Sequence, residues 1–478
     1  MTSLLAVAPL LAVAGGALAV LLVEAFGRPK RTERLGYLSL AFLAAGAVLA
    51  VRAWGGDDSA FGRQLVLDRA AVLLFVAIAV AGAFVVLMSL RDLRRYGMDR
   101  GESYALLLFA VSGIMIMVST TSLIVVFLGL EVLSVSSYAL AGLRKDDPHS
   151  VEAAVKYFLM GSFAGAFLVF GLALLYGAAG SLEFGGIMRG FTDAAPGPRA
   201  ALWAGLALVL AGFGFKIALA PFHMWAPDVY EGAPTPVTAF FTVGPKLAGL
   251  AVLLRFLRPL AGGDGARPVL FWLVWAVAAL TMLLGNLGAL RQTSLKRLLA
   301  YSSIAHSGYI LVAVLAADGA GLLFYLVAYL FMTIGAFAVL IAVEGDGPRG
   351  RDIDDLAGLG RTHPWLAAIF TVFLVSLAGF PPTAGFLAKF YVFGAAVRQG
   401  HVVLALIAVL ASLVSVYYYL RVVVVMYMRE PGPQALEVDR DNPALDLVLF
   451  LCLTGVIQLG VWPGNLLALI RQAAAALF

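Results

Sequence analysis

Charge and cysteine are what this sequence has least of. Only 13% of its 478 residues are charged while 62% are hydrophobic, where a soluble fold carries about a quarter charged residues. A water-soluble globule is thereby excluded, and lipid must be the solvent for most of the chain. The single cysteine, Cys452, lies in an apolar run. That excludes a disulfide framework, a thiolate zinc site and iron–sulfur ligation by this chain. Gly-rich phosphate loops and metal-ligand spacings are also missing, so no nucleotide, metal or other cofactor is expected on the chain itself. The net charge of +5 comes from short basic clusters between apolar runs. With no aromatic-interleaved basic stripe, nucleic acid is not an expected partner, and the clusters read as determinants of membrane topology.

What the sequence does have is apolar length. The first run, Leu4 to Phe26, is about 23 residues, too long for a signal-peptide core and long enough to span a bilayer. At about 20 residues per span the pattern predicts an all-α polytopic membrane protein of about fourteen helices, the last beginning near Leu445. Loops after odd-numbered helices carry Arg28, Lys30, Arg31 and Arg34, then Arg91, Arg94, Arg95 and Arg100, then Arg144 and Lys145, then Arg291, Lys296 and Arg297, and finally Arg349, Arg351 and Arg361. This bias puts those loops in the cytoplasm and both termini on the non-cytoplasmic side.

Two segments interrupt the helix pattern in matching ways. One runs from Gly212 through Lys216, Pro221 and His223 to Pro227 and Asp228; the other runs from Gly379 through Pro381, Pro382 and Gly385 to Lys389. Prolines close to a lysine inside an apolar span predict discontinuous helices 7 and 12, since backbone freed from the helix ladder is tolerated only against protein or a cavity. Each break would be the fourth helix of a five-helix unit, and an odd number of helices makes consecutive units inverted repeats. The expected organisation is residues 1–102 as three N-terminal helices, 103–258 and 259–430 as the two repeats, and 431–478 as helix 14. Weaker echoes are Thr121-Ser-Leu against Thr293-Ser-Leu, and Met160-Gly against Met332-Thr-Ile-Gly335.

Ionisable residues inside such spans are rare, because each costs on the order of 3 kcal/mol at the centre of an isolated helix. Here Glu131, Lys156, Lys216, Lys246 and Lys389 fall within spans, joined by His223 and His306. Imidazole, with an unperturbed pKa near 6.5, can pass a proton either way. A lysine exchanges protons near neutrality only where desolvation offsets its preference for the ammonium form. A movable carboxylate nearby makes such a lysine a two-state switch, the role the residue types suggest for Glu131 with Lys216. Packing alternatives stand beside each reading. Glu131 would serve as an interhelical ion-pair partner, Lys156 would snorkel to the interface, and His306 would hydrogen-bond Ser303 one turn away. Ser303 and His306 lack the Gly-x-Ser-x-Gly elbow of a hydrolase. Gly161 and Gly165 predict a close helix contact, Asp228 and Glu231 a loop or cap, and the abundant Phe, Tyr and Trp a lipid-facing or interfacial position.

The run Lys216-Ile-Ala-Leu-Ala-Pro-Phe-His223-Met-Trp-Ala-Pro-Asp228-Val-Tyr-Glu231-Gly-Ala-Pro-Thr-Pro236 resembles a signature of the antiporter-like membrane subunits of respiratory complex I. Lys296-Arg-Leu-Leu-Ala-Tyr-Ser-Ser303-Ile-Ala-His306-Ser-Gly-Tyr309 is similar to a second one; with Glu152 to Gly161 and Gly379 to Pro382 the likeness extends from about Glu131 to Tyr391. Within that family the Tyr-Glu-Gly insert, Lys246 after Pro245, a lysine instead of glutamate at position 389, and the lack of a long lateral helix resemble the N form. The resemblance implies that Glu131 and Lys216 form the ion-pair switch, that Lys246 continues a central polar axis, and that Lys389 is the terminal carrier. Lys156, His223 and His306 would connect or modulate. It also implies proton translocation in a bacterial inner membrane, beside subunits M and K and lipid. NADH, FMN, iron–sulfur clusters and quinone would be bound by partner subunits. An Mrp-type cation/proton antiporter subunit, or the equivalent subunit of a dehydrogenase fed by another donor, are the alternatives.

Overall fold

In a bilayer each backbone N–H and C=O must find its partner within the protein, so the apolar runs can only be helices. A computed structural model of the chain describes residues 4–27, 32–56, 58–98, 100–193, 196–261, 267–344, 350–431, 436, 438 and 442–476. In chain order the α-helices are α1 (Leu4–Leu22), α2 (Glu33–Arg52), α3 (Arg69–Arg95), α4 (Gly101–Val118), α5 (Leu123–Ala141), α6 (Pro148–Ala179), α7 (Phe184–Asp193), α8 (Pro196–Lys216), α9 (Trp225–Gly232) and α10 (Thr235–Ala261). They continue with α11 (Arg267–Leu290), α12 (Leu295–Leu315), α13 (Gly319–Val343), α14 (Leu359–Thr362), α15 (Pro364–Ala378), α16 (Ala384–Arg398), α17 (Val402–Met428), α18 (Pro443–Val461) and α19 (Gly464–Ala476).

Among the described residues, 13 helices are long and apolar enough to cross a membrane, and α15 is a shorter apolar one. Together they match the fourteen spans expected, with α8–α9 as the interrupted seventh and α15–α16 as the interrupted twelfth. Burial sets the order from centre to rim. The membrane windows of α10, α13 and α12 are 100%, 94% and 89% buried, whereas those of α2, α6 and α18 are each 33% buried. Outer helices thus give their exposed faces to lipid or to other chains.

Three small elements were not expected from the sequence. An antiparallel hairpin pairs Asp58–Ala60 with Leu65–Leu67, the amphipathic α7 follows α6, and α19 packs on α3 and α13 after the last span. Of the basic loop residues, Arg28, Lys30, Arg31 and Arg349 lie outside the described residues. The two Thr-Ser-Leu echoes adopt one local form. Ser122, entering α5, makes an isolated antiparallel bridge with Glu183, and Ser294, entering α12, makes the same bridge with Asp352.

Close helix contact fixes α5, which carries Glu131. A Cβ on Gly129 would lie 2.7 Å from the Gly113 carbonyl oxygen, and one on Gly113 would lie 2.5 Å from that of Gly129. The α4 and α5 backbones therefore touch, and neither can retreat from a side chain. Gly129→Val is expected to destabilise the chain by about 1–3 kcal/mol, as overpacking does. A lower melting temperature of the detergent-solubilised protein checks this, and an unchanged one refutes it. On the opposite side, a Cβ at Gly165 would be 3.4 Å from Glu131 Oε1 and one at Gly161 would strike Tyr138. The Gly161/Gly165 face of α6 is thus a close helix contact against α5, as expected.

Candidate functional site

Lys216 is the last residue of α8, and the chain leaves the helix there because Pro221 cannot continue it. The freed backbone finds partners on other helices: the Ile217 carbonyl accepts from Ser307 Oγ at 2.9 Å, and the Ala220 N–H donates to Thr281 Oγ1 at 3.0 Å. At the end of this half-helix the Lys216 amine is buried. It donates to Ser134 Oγ at 2.9 Å and to the Tyr157 hydroxyl at 3.2 Å, and lies 5.2 Å from the Tyr157 ring centroid. Hydroxyls can relay a proton as well as hold the ammonium ion, which a carbonyl cage cannot. Glu131 stands three residues before Ser134 on α5 and acts electrostatically on Lys216. No direct ion pair joins the two among the described residues. Glu131 is only partly buried, and its side of α5 faces α6 and the rim.

Lys246 sits in the fully buried stretch of α10 and donates to both the carbonyl and the hydroxyl oxygen of Ser303 on α12. Its amine is 5.2 Å from the Tyr329 ring centroid. The same ring is stacked at a tilt 5.1 Å from His306, which hydrogen-bonds through Nδ1 to the Tyr325 hydroxyl at 2.8 Å and through Nε2 to that of Tyr419 at 3.5 Å. Tyr419 in turn bonds Ser302. A parallel branch runs from Tyr418, whose hydroxyl donates to Asn286 Oδ1 at 3.1 Å, through Asn286 Nδ2 to the Tyr309 hydroxyl at 2.9 Å. Lys389 lies 5.0 Å from the Tyr309 ring centroid. It reaches back from α16 to the carbonyls of Leu377 at 3.0 Å and Ala378 at 2.8 Å, the buried C-terminal end of α15, and to Ser412 Oγ at 2.8 Å. The unpaired carbonyls at a helix C-terminus favour a cation. Relative exposures of 3% for Lys216, 1% for Lys246 and 5% for Lys389 place all three amines inside protein and away from acyl chains.

The structure brings His306 to this line and leaves Lys156 and His223 off it. Lys156 has a side chain 41% exposed and pairs with Glu152 at 2.6 Å and Asp228 at 2.7 Å. Asp228 and Glu231 also hold Arg297 of α12, at 2.8 and 2.9 Å. Instead of capping a helix, these two acids tie α6, α9 and α12 together. His223 stays in the α8–α9 break between the exposed Phe222 and Met224. Ser303 bonds Lys246, and His306 bonds Tyr325 in place of Ser303, the partner of its packing alternative.

The family model for "NADH:quinone oxidoreductase/Mrp antiporter, TM" matches residues 120–415, the stretch holding every residue of this line except Tyr418 and Tyr419. A relative from Trichlorobacter lovleyi named NADH-quinone oxidoreductase subunit N is 44% identical, over 95% of this chain and 94% of its own. The chain belongs to the NADH:quinone oxidoreductase/Mrp antiporter family, in its subunit N branch. Among solved structures, a chain of respiratory complex I from Thermus thermophilus aligns with a TM-score of 0.82 and 34% identity, over 96% of this chain and 98% of that one. A chain of the Mrp complex of a Dietzia species aligns at 0.84 with 24% identity, over 99% and 98%, and shows that the fold is shared.

For this subunit N relative the residues that sequence reasoning missed are mostly tyrosines. Tyr157, Tyr230, Tyr309, Tyr325, Tyr329, Tyr418 and Tyr419 are fully buried, which corrects the lipid-facing or interfacial placement expected of the aromatics. Exposed phenylalanines such as Phe158, Phe163 and Phe170 do fit it. The usable signal was helical spacing. Tyr325 and Tyr329 are four residues apart on α13, and Ser302 and His306 four apart on α12, so each pair shares a face.

Proposed function

We propose that this chain is the proton-translocating N-type subunit of an NADH:quinone oxidoreductase, moving protons along Lys216, Lys246 and Lys389 under the control of Glu131. The observation that carries this is the buried run of amines, hydroxyls and one imidazole across the two interrupted helices. When Glu131 is ionised and close, it stabilises the Lys216 ammonium; when the carboxylate withdraws, Ser134 and Tyr157 remain as acceptors and the proton leaves toward Lys246. His306 with Tyr325 and Tyr419 then links Lys246 to Lys389, the terminal carrier. Lys156 and His223 modulate from outside the line, Lys156 through Asp228 on the half-helix α9.

The chain contributes no redox chemistry on this reading; NADH, FMN, iron–sulfur clusters and quinone belong to partner subunits, and the enzyme activity is that of the assembly. Subunits M and K are its membrane neighbours. Support for a protein neighbour comes from Glu131, a half-exposed carboxylate beside the apolar outer face of α6, which is costly to leave against lipid. The basic loops face the cytoplasm of a bacterial cell, with both termini across the inner membrane. The two units, 103–258 and 259–430, act as inverted repeats. Their support is the matching Ser122 and Ser294 bridges and the break in the fourth helix of each unit.

Purification of the tagged chain from its own membranes tests the assembly: flavin- and iron–sulfur-bearing subunits should come with it. In vesicles, Lys246→Met should lower NADH-driven acidification at least about tenfold per assembled complex, a loss of about 1.4 kcal/mol or more in the transfer barrier. Recovery with Mrp-type partners alone, or undiminished acidification, would contradict the proposal.

A further inference from the structure

A second buried polar group lies at the basic-loop ends of the helices, away from the lysine line. Glu344, at the end of α13, accepts a hydrogen bond from Thr235 Oγ1 at 2.7 Å and lies 3.5 Å from Lys296 Nζ. Lys296, at the start of α12, also donates to the Ala233 carbonyl at 3.2 Å. Asp92, near the end of α3, is buried, and among the described residues its Oδ2 has no partner; Nε and Nη2 of Arg144 are likewise buried without one. The Arg144 guanidinium stacks 3.7 Å above the Tyr96 ring, one turn beyond Asp92. Both Tyr96 and Arg144 line a cavity of about 440 Å³ that also touches Arg100, Lys145 and Arg351. Two carboxylates that face charged partners, one of them incompletely hydrogen-bonded, beside a polar cavity, are costly as mere packing.

We infer that Glu344, with Lys296 and Asp92, is the proton-uptake site of this chain on its basic-loop side, loading Lys246. This rests on the translocation reading above. Along α12, Ser303 follows Lys296 by seven residues, about 10 Å, and Ser303 is the group that holds Lys246. On α10 the buried Thr235, which holds Glu344, is followed at three- and four-residue spacing by the buried Thr238, Thr242 and Lys246, so hydroxyls line one helix face between the two sites. A proton from the aqueous side protonates the Glu344 carboxylate and weakens its pairing with Lys296. Its departure through the hydroxyls to the neutral Lys246 amine restores the carboxylate and leaves an ammonium ion, with charge conserved at each step. Asp92 and Arg144 connect the cavity to Glu344 electrostatically.

The test measures NADH-driven acidification of vesicles per unit of assembled complex, quantified by native gel. Glu344→Gln, which keeps the volume and can still accept from Thr235, should lower acidification about tenfold, and Glu344→Asp should restore most of it. Wild-type acidification in Glu344→Gln overturns the inference, and so does equal impairment of both variants, which indicates packing. If Glu344→Gln does not assemble, Lys296→Met and Asp92→Asn decide: loss in either supports the site, and normal acidification in both removes it. Lys246→Met in the same assay separates the two claims. If Lys246→Met pumps normally the translocation reading itself fails; if Lys246→Met is silent while Glu344→Gln is normal, only the uptake site fails.

Discussion

Lys216→Ala is expected to abolish NADH-driven acidification while the complex still assembles, with a residual rate below about a tenth of wild type. The side chain ends a half-helix, so alanine removes no helix-internal contact. What it removes is, among the described residues, the only cation within hydrogen-bonding distance of Ser134 and Tyr157. Those hydroxyls can pair with each other's neighbours or with water, so the fold tolerates the change; the switch that Glu131 controls loses the one amine on which it acts. Lys216→Arg is the informative companion, because guanidinium stays protonated in proteins and cannot release the proton it binds. It should fail as completely as alanine. Acidification above half of wild type in either variant, with assembly confirmed, would remove Lys216 from the path.

The largest effect on assembly is expected from Gly379→Val. Gly379 ends α15 with φ +93, a conformation that costs a β-branched residue on the order of 1–3 kcal/mol. A Cβ there would also lie 2.9 Å from Lys389 Cδ and 3.3 Å from its Nζ. The amine would be pushed from the Leu377 and Ala378 carbonyls, and a buried charge stripped of its partners costs about 3–5 kcal/mol more. The sum approaches the whole stability of a typical domain. The variant chain should be absent from the complex on native gels. Gly400, with φ +81 and nothing within 4 Å of its Cβ position, is the control: Gly400→Ala carries the backbone penalty alone and should assemble. Normal assembly of Gly379→Val would show that Lys389 is not held by the end of α15.

The parts of this architecture that follow from solvent were legible in the sequence. Lipid forces helices on long apolar runs, and proline inside a run stops them, so both the count of spans and the two interruptions could be read from residues such as Pro221 and Pro382. Depth was legible too, since a lysine such as Lys246 in the middle of an apolar run has nowhere to go but the interior. Azimuth was not. Nothing in the local pattern says that Glu131 turns toward the rim while Lys216, a partner by residue type, is swallowed by the bundle. The same limit hid the tyrosines. An aromatic ring with one hydroxyl suits an interface and an interior hydrogen bond equally well, and only the packing of α12, α13 and α17 decides that Tyr325 and Tyr419 turn to His306. Lys156 shows the converse: about a turn and a half inside the expected sixth span, it could be read as a relay or as a snorkelling side chain, and Asp228 on α9 holds it at the edge.

In the interruption of the seventh span, Tyr157 and Trp225 lie ring on ring, 4.4 Å apart and within 6° of parallel, with Phe215 and Tyr230 against them. Such a stack fills with carbon the gap that the missing helical turn would otherwise open to water. On the translocation reading that seal discriminates by hydration: a hydrated cation would have to shed its water against these rings, whereas a proton can pass between hydroxyls.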